Sequence, residues 1–141
     1  MSETRLDMIE QLAQANEATL RLTYARVYAG TDGVTHFQDS PIRMRPGVYV
    51  PGIPLVDSAP PRPATMLTFS RLEAGYTSDW HPAPRRQFVV LLTGAVEVTV
   101  SDGETRPFGP GSVFLVEDTA GAGHRTHALE SDDCLFVTVA C

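Results

Sequence analysis

Apolar residues recur at two different periods along this 141-residue chain. Between residues 4 and 20, Leu6, Ile9, Leu12, Ala13 and Leu20 follow near-helical spacing, and Thr4-x-x-Asp7 has the form of a capping pair. This predicts one amphipathic N-terminal helix within residues 1–20. From Thr19 onward the pattern changes to alternation: Leu20, Leu22, Tyr24, then Val27-Tyr28, a Thr31-Asp32-Gly33 turn, and Val34 to Phe37, which reads as a β-hairpin. Residues 46–63 hold six of the eleven prolines, a density that excludes helix and central strand. A stiff, extended connection that wraps the domain or covers its mouth is expected there. Short strands follow at 65–73, 86–93, 95–100, 103–107, 112–116, 124–129 and 133–139, separated by Gly94, Ser101-Asp102-Gly103, Gly109-Pro110-Gly111 and Gly121-Ala122-Gly123. Strands so short and so evenly punctuated define an all-β sandwich or barrel over residues 21–141, with the double-sheet jelly roll as one way to manage the sheet edges. Such a barrel needs no helix for its own core. The N-terminal helix is therefore expected to lid the barrel or to pack against a second subunit, and the subunit contact, giving a homodimer, is preferred.

Length and composition narrow the class. A chain of this size is one domain, able to bury about 70% of its unfolded surface. No apolar run approaches the roughly 20 residues that span a bilayer, and the opening MSETRLDMIEQ lacks the basic and apolar regions of a secretory signal. A soluble, cytoplasmic protein is expected, with no membrane partner. All eleven basic residues are Arg, and the formal net charge of −6 argues against a nucleic-acid partner, because that binding needs basic surface to displace counterions. Cys134 and Cys141 form neither a C-x-x-C pair nor a disulfide framework, and both are expected to be reduced.

The chemistry concentrates in Gly75-Tyr-Thr-Ser-Asp-Trp-His81-Pro-Ala83-Pro-Arg-Arg-Gln87, with six residues from Gln87 to Gly94, and in the later Gly121-Ala-Gly-His124. The Gly-x5-His and x6-Gly spacings resemble the first cupin motif, in which two histidines one residue apart and a later glutamate hold a metal inside a small β-barrel. His81 occupies the first histidine position, Ala83 the second, and Gln87 the glutamate position. Phe108-Gly-Pro110-Gly111-Ser-Val-Phe-Leu-Val followed by His124 resembles the second cupin motif. There the loop before the histidine is longer than the motif, and Ala128 stands where an asparagine is expected. The resemblance covers about residues 65–140 and implies a jelly-roll barrel of the kind found in small bacterial single-domain cupins. Its spacing also resembles the two-histidine, one-glutamate iron site of 3-hydroxyanthranilate dioxygenase. It implies His81, Gln87 and His124 as a three-ligand set for a divalent metal, Fe, Zn, Ni, Mn or Cu. No organic cofactor is expected.

Each candidate has a structural alternative. His81 and His124 are either ligands or hydrogen-bonded histidines lining a pocket; Gln87 is a ligand or an amide that orients a substrate or His81. Alternation turns His127 to the opposite face from His124. Arg85 or Arg86 is a solvated charge at a strand entrance, or one of them faces the mouth and clamps a carboxylate, enolate or phenolate. Trp80, next to His81, faces away from it, and His36 and Phe37 are expected to pack. Glu117 and Asp118 open the loop before His124, and either is a solvated residue or reaches back as general base or anionic ligand.

Three functions compete for a small-molecule partner. The first is a metal-dependent enzyme with dioxygenase or isomerase chemistry on a compact aromatic or enolisable substrate, in a secondary-metabolic setting. The second is a metal-free isomerase, epimerase or cyclase in which His81 or His124 moves a proton, with Arg85 and Glu117 as further catalytic candidates. The third is a non-catalytic barrel that encloses a small ligand.

Overall fold

The computed structural model describes residues 21–141, so the helix expected within residues 1–20 lies outside the described residues. All regular elements in the described part are strands: β1 (Arg21–Ala29), β2 (Thr35–Arg43), β3 (Arg45–Gly47), β4 (Val56–Ser58), β5 (Met66–Leu72), β6 (Gln87–Leu91), β7 (Val96–Val100), β8 (Thr105–Phe108), β9 (Val113–Val116), β10 (His124–Ala128) and β11 (Cys134–Ala140). None of the described elements is a helix long and apolar enough to cross a membrane.

Two compact units divide the chain. The larger comprises Tyr24–Ser40 and Arg62–Cys141. It carries a six-stranded sheet of order β2-β1-β9-β6-β11-β5 and a three-stranded sheet of order β10-β7-β8. This is the all-β jelly roll expected from the strand spacing. In the other unit, the proline-rich stretch is more ordered than a plain connection, since β3 and β4 pair as a small antiparallel ribbon.

Alternation explains which residues meet. β6 and β7 show strict buried/half-buried alternation, so Gln87, Val89 and Leu91 share the inner face with Val96, Val98 and Val100. Phe114 and Val116 of β9 lie opposite Val89 and Gln87 of β6, which puts them on the same inner face. β9 itself reads as an unbroken apolar run, as suits a strand flanked on both sides: it pairs antiparallel with β6 and parallel with β1. Inner-face side chains from both sheets, among them Val27, Leu91, Val98, Phe108 and Phe114, form one buried cluster. At the far edge, β5 leaves Met66, Leu67 and Phe69 exposed.

Gly94, in the turn between β6 and β7, packs its backbone against the residues that open β11. Its φ is +71°, and a Cβ there would sit 2.6 Å from the Asp133 carbonyl oxygen. Only glycine fits that approach of backbone to backbone.

Candidate active site

A cavity of about 180 Å³ lies within the barrel. Its walls come from both sheets: Leu72, Leu91, Phe114, Cys134 and Phe136 make an apolar floor, while His81, Gln87, His124, Ser78, Thr126 and Thr138 supply its polar groups. The three residues of the expected ligand set, His81, Gln87 and His124, thus line one cavity.

The two histidines are set side by side by the backbone. His81 N donates to the His124 carbonyl oxygen at 3.1 Å, and His124 N donates to the His81 carbonyl oxygen at 3.0 Å. This isolated antiparallel bridge exchanges both hydrogen bonds between the two residues, so their side chains leave the same face, and the ring centroids are 4.8 Å apart. The approach is possible because residue 123 is glycine. A Cβ on Gly123 would lie 2.1 Å from the His81 carbonyl oxygen. Thr35, fully buried, donates from Oγ1 to the Gly123 carbonyl oxygen at 2.7 Å and fixes this turn from behind.

The remaining hydrogen bonds set the tautomers. His81 Nδ1 is 2.8 Å from the Asp79 carbonyl oxygen, which only accepts, so Nδ1 carries the proton. His124 Nδ1 is 2.6 Å from Asp118 Oδ2 and donates to that carboxylate. Each neutral ring therefore keeps its Nε2 lone pair for a ligand. His81 is exposed at the mouth. His124 and Asp118 are buried, Asp118 completely. Asp118 Oδ1 and Gln87 Oε1 are buried without a hydrogen-bond partner among the described residues.

Arg85 and Glu117, expected as catalytic groups, do not line the cavity. Arg85 is exposed just before β6, where Gln87 takes the inward position. Glu117 follows Val116 and so falls on the outward parity of β9, where it accepts from Arg26 Nη2 at 2.6 Å and lies 3.3 Å from Arg86 Nη2. The hydrogen bond from Arg26 to Glu117 holds that guanidinium above its ordinary pKa. Asp118, one residue on, returns to the inward parity and reaches His124. Counting alternate positions from Phe114 through Val116 would have selected Asp118 over Glu117. His127, on the other side of β10, pairs through Nδ1 with Thr77 Oγ1 at 2.8 Å, and His36 with Asp102 at 2.9 Å. Trp80 is exposed, with the Arg125 guanidinium 5.2 Å from its ring centroid.

The donor set bears on a metal. Two imidazole nitrogens and one amide oxygen are neutral donors, and the one buried carboxylate nearby is engaged with His124 Nδ1. Among the described residues no group of three or more His, Cys, Asp or Glu is arranged to hold a metal ion. The set therefore does not fit a ferrous facial triad, which needs a carboxylate; its donor types are those of a borderline ion such as Zn, Ni or Cu.

Cys134 lines the cavity floor fully buried, and burial pushes its thiol up from the ordinary value. Cys141 is half-buried at the surface. In the native chain a thiol-reactive disulfide reagent is expected to modify one cysteine per chain quickly, at Cys141, and the second only after unfolding. Two fast equivalents would show that the cavity floor is open to the reagent.

Two sheets closing around a histidine-bearing cavity define an all-β jelly-roll barrel. The match to the cupin domain model spans residues 68–140, just over half of the chain, and the protein belongs to the cupin family. No curated protein sequence matches it. Solved structures with a similar fold include the polyketide cyclase RemF from Streptomyces resistomycificus, at 20% identity and a TM-score of 0.46, covering 55% of this chain and 54% of that one. A cupin-superfamily sugar phosphate isomerase from Silicibacter pomeroyi gives 22% identity and a TM-score of 0.39 over 52% of this chain and 47% of that one. KdgF from Halomonas sp. gives 22% identity and a TM-score of 0.41 over 71% and 79%. The chain thus spans about half the length of the first two.

Proposed function

We propose that this cupin is a small-molecule enzyme of the isomerase, epimerase or cyclase type that moves protons on a carbonyl- or enol-bearing substrate. The observation that carries the reading is the buried His124–Asp118 pair, 2.6 Å apart, with His124 on the cavity wall and Asp118 behind it. Asp118 fixes the tautomer that leaves His124 Nε2 basic and lies where it stabilises positive charge arising on the ring. In this mechanism His124 Nε2 removes a proton from the carbon next to a carbonyl; the C–H electrons pass to the carbonyl oxygen as an enolate. The proton returns at carbon or oxygen from His124 or from its neighbour His81, so no oxidant or reductant is consumed. Gln87 orients the oxygen-bearing end, and the apolar floor excludes water, which strengthens each of these contacts.

The test is deuterium incorporation next to the carbonyl of a small cyclic hydroxyketone such as 2-hydroxycyclohexanone, followed by NMR in heavy water. Incorporation by the native protein, unaffected by a chelator and at least 100-fold slower in His124→Gln, is expected from the usual contribution of a general base, about 10²- to 10⁴-fold. Equal rates in the native and His124→Gln proteins would sink the proposal.

A second reading rests on the orphaned Gln87 Oε1. With His81 and His124 it would hold a divalent metal, which supplies Lewis-acid polarisation of a bound oxygen when present. Chelator-sensitive incorporation, with about one metal per chain lost in the His81→Ala/His124→Ala variant, would favour it.

A further inference from the structure

The charge and hydrogen-bonding sense of the cavity point to its ligand. Among the described residues that line it there is no Arg, Lys, Asp or Glu. Arg85 and Arg86, the cations nearest in sequence to His81, are exposed, and Arg86 is committed to Glu117. A carboxylate or phosphate drawn inside would lose its hydration with no guanidinium to replace it, at a cost of several kcal/mol per ion before compensation. An imidazolium at His124 offers little in return, since Asp118 already faces it at 2.6 Å.

Of the polar groups whose hydrogen-bonding sense is fixed, three atoms are acceptors and one, the Gln87 amide nitrogen, is a donor; a hydroxyl, which both donates and accepts, suits that mixture. His81 and His124 each keep an Nε2 lone pair because both Nδ1 protons are donated elsewhere. Gln87 Oε1 is buried with no donor among the described residues. A buried acceptor left unpaired costs about 1–3 kcal/mol, so the partner the site fits is a hydroxyl that donates its one proton to an Nε2 lone pair, with the Gln87 amide beside it. Size sets the remainder. An apolar cavity of about 150 Å³ holds benzene, so about 180 Å³ holds one ring with a few substituent atoms and no fused-ring system.

We propose that the cavity takes an uncharged, hydroxyl-donating ligand of single-ring size, a phenol or a cyclic enol, bound with its O–H toward Gln87 and the two histidines and its ring on the floor formed by Leu91, Phe114 and Phe136. This rests on the proton-transfer reading of the same site and names its substrate class, because an enol is what that chemistry makes or consumes. It excludes sugar phosphates and free carboxylic acids as substrates of this chain.

The experiment is calorimetric titration of the full chain at neutral pH, with chelator present, using 4-methylphenol and its anionic counterpart 4-methylbenzoate. The phenol is expected to bind at least tenfold more tightly. Val96→Phe, which fills the floor, and Ser78→Leu, which narrows the mouth and is better tolerated because Ser78 is half-exposed, are each expected to weaken phenol binding at least tenfold. Equal or tighter binding of the benzoate, no binding of either compound at millimolar concentration, phenol binding unchanged in both filled variants, or binding that requires added divalent metal would each overturn the proposal. Asp118→Asn separates it from the reading it rests on: phenol affinity is expected to stay within a fewfold of native while deuterium incorporation is lost. Incorporation that survives in Asp118→Asn removes the proton-transfer reading and leaves the ligand class standing, whereas a benzoate preference removes the ligand class alone.

Discussion

In Asp118→Asn, proton transfer is expected to fall about 10³-fold, within the range a general base and its orienting carboxylate supply. The asparagine keeps the shape of the side chain but not its charge, so the ring loses the anion that stabilises it once it has taken a proton. Its amide oxygen can still accept from Nδ1, so the ring keeps its tautomer and its Nε2 lone pair while losing the charge beside it. The reciprocal change acts on stability. His124→Leu strands Asp118 as a fully buried carboxylate whose one hydrogen-bonded oxygen has lost its partner. Breaking a buried pair from one side costs about 3–5 kcal/mol. Urea unfolding should show that loss in His124→Leu and recovery of more than half of it in His124→Leu/Asp118→Asn. Additive losses in the double variant would mean that Asp118 bears no buried charge.

Gly123→Ala is expected to lower stability by at least about 3 kcal/mol and to separate the two imidazoles. The added Cβ would lie 2.1 Å from the His81 carbonyl oxygen, 2.2 Å from its carbon and 2.5 Å from Pro82 N, all backbone atoms that cannot swing aside. Residue 123 also has φ +74°, which an L-residue adopts at a cost of about 1–2 kcal/mol. Gly111→Ala isolates that conformational part: its φ is +82° and nothing lies within 4 Å of a Cβ there, so about 1–2 kcal/mol is expected. Thermal unfolding of the two variants, with the histidine ring resonances followed by NMR, checks both halves. Similar melting temperatures for the two would show that the His81 strand yields to the methyl group.

Period-2 alternation made most of the barrel legible in the sequence. Each strand expected after residue 65 is present with both bounds within two residues of those expected; β7 shows the clearest alternation, with Glu97 and Thr99 between the buried Val96, Val98 and Val100. Prolines hid the β3–β4 ribbon: Pro46 lies within β3, and a two-stranded pair exposed on its residues has no apolar alternation to reveal it. The histidine pair and Gln87 were legible from motif spacing. Alternation from Phe114 and Val116 separates Asp118 from the adjacent Glu117, but its partnership with His124 depends on a loop that no local pattern predicts. The exposure of Arg85, which does not line the cavity, has a simpler reason. Position 85 precedes the strand, where alternation has not begun, so its side chain is free to stay in water.

The bridge between His81 and His124 has a further consequence. His81 lies outside the named strands, but the segment that bears it runs along β10: besides the two His81–His124 bonds, Ser78 N donates to the Thr126 carbonyl oxygen at 2.9 Å, Ala128 N to that of Tyr76 at 2.7 Å, and Ala83 N to that of Asp118 at 2.9 Å. Releasing it leaves the β10–β7 ladder and the six-stranded sheet paired. Residues 75–83 are therefore expected to open only when all of these bonds release together, and the free energy of that local opening, rather than the stability of the barrel, is expected to govern how readily the cavity admits and discharges its occupant.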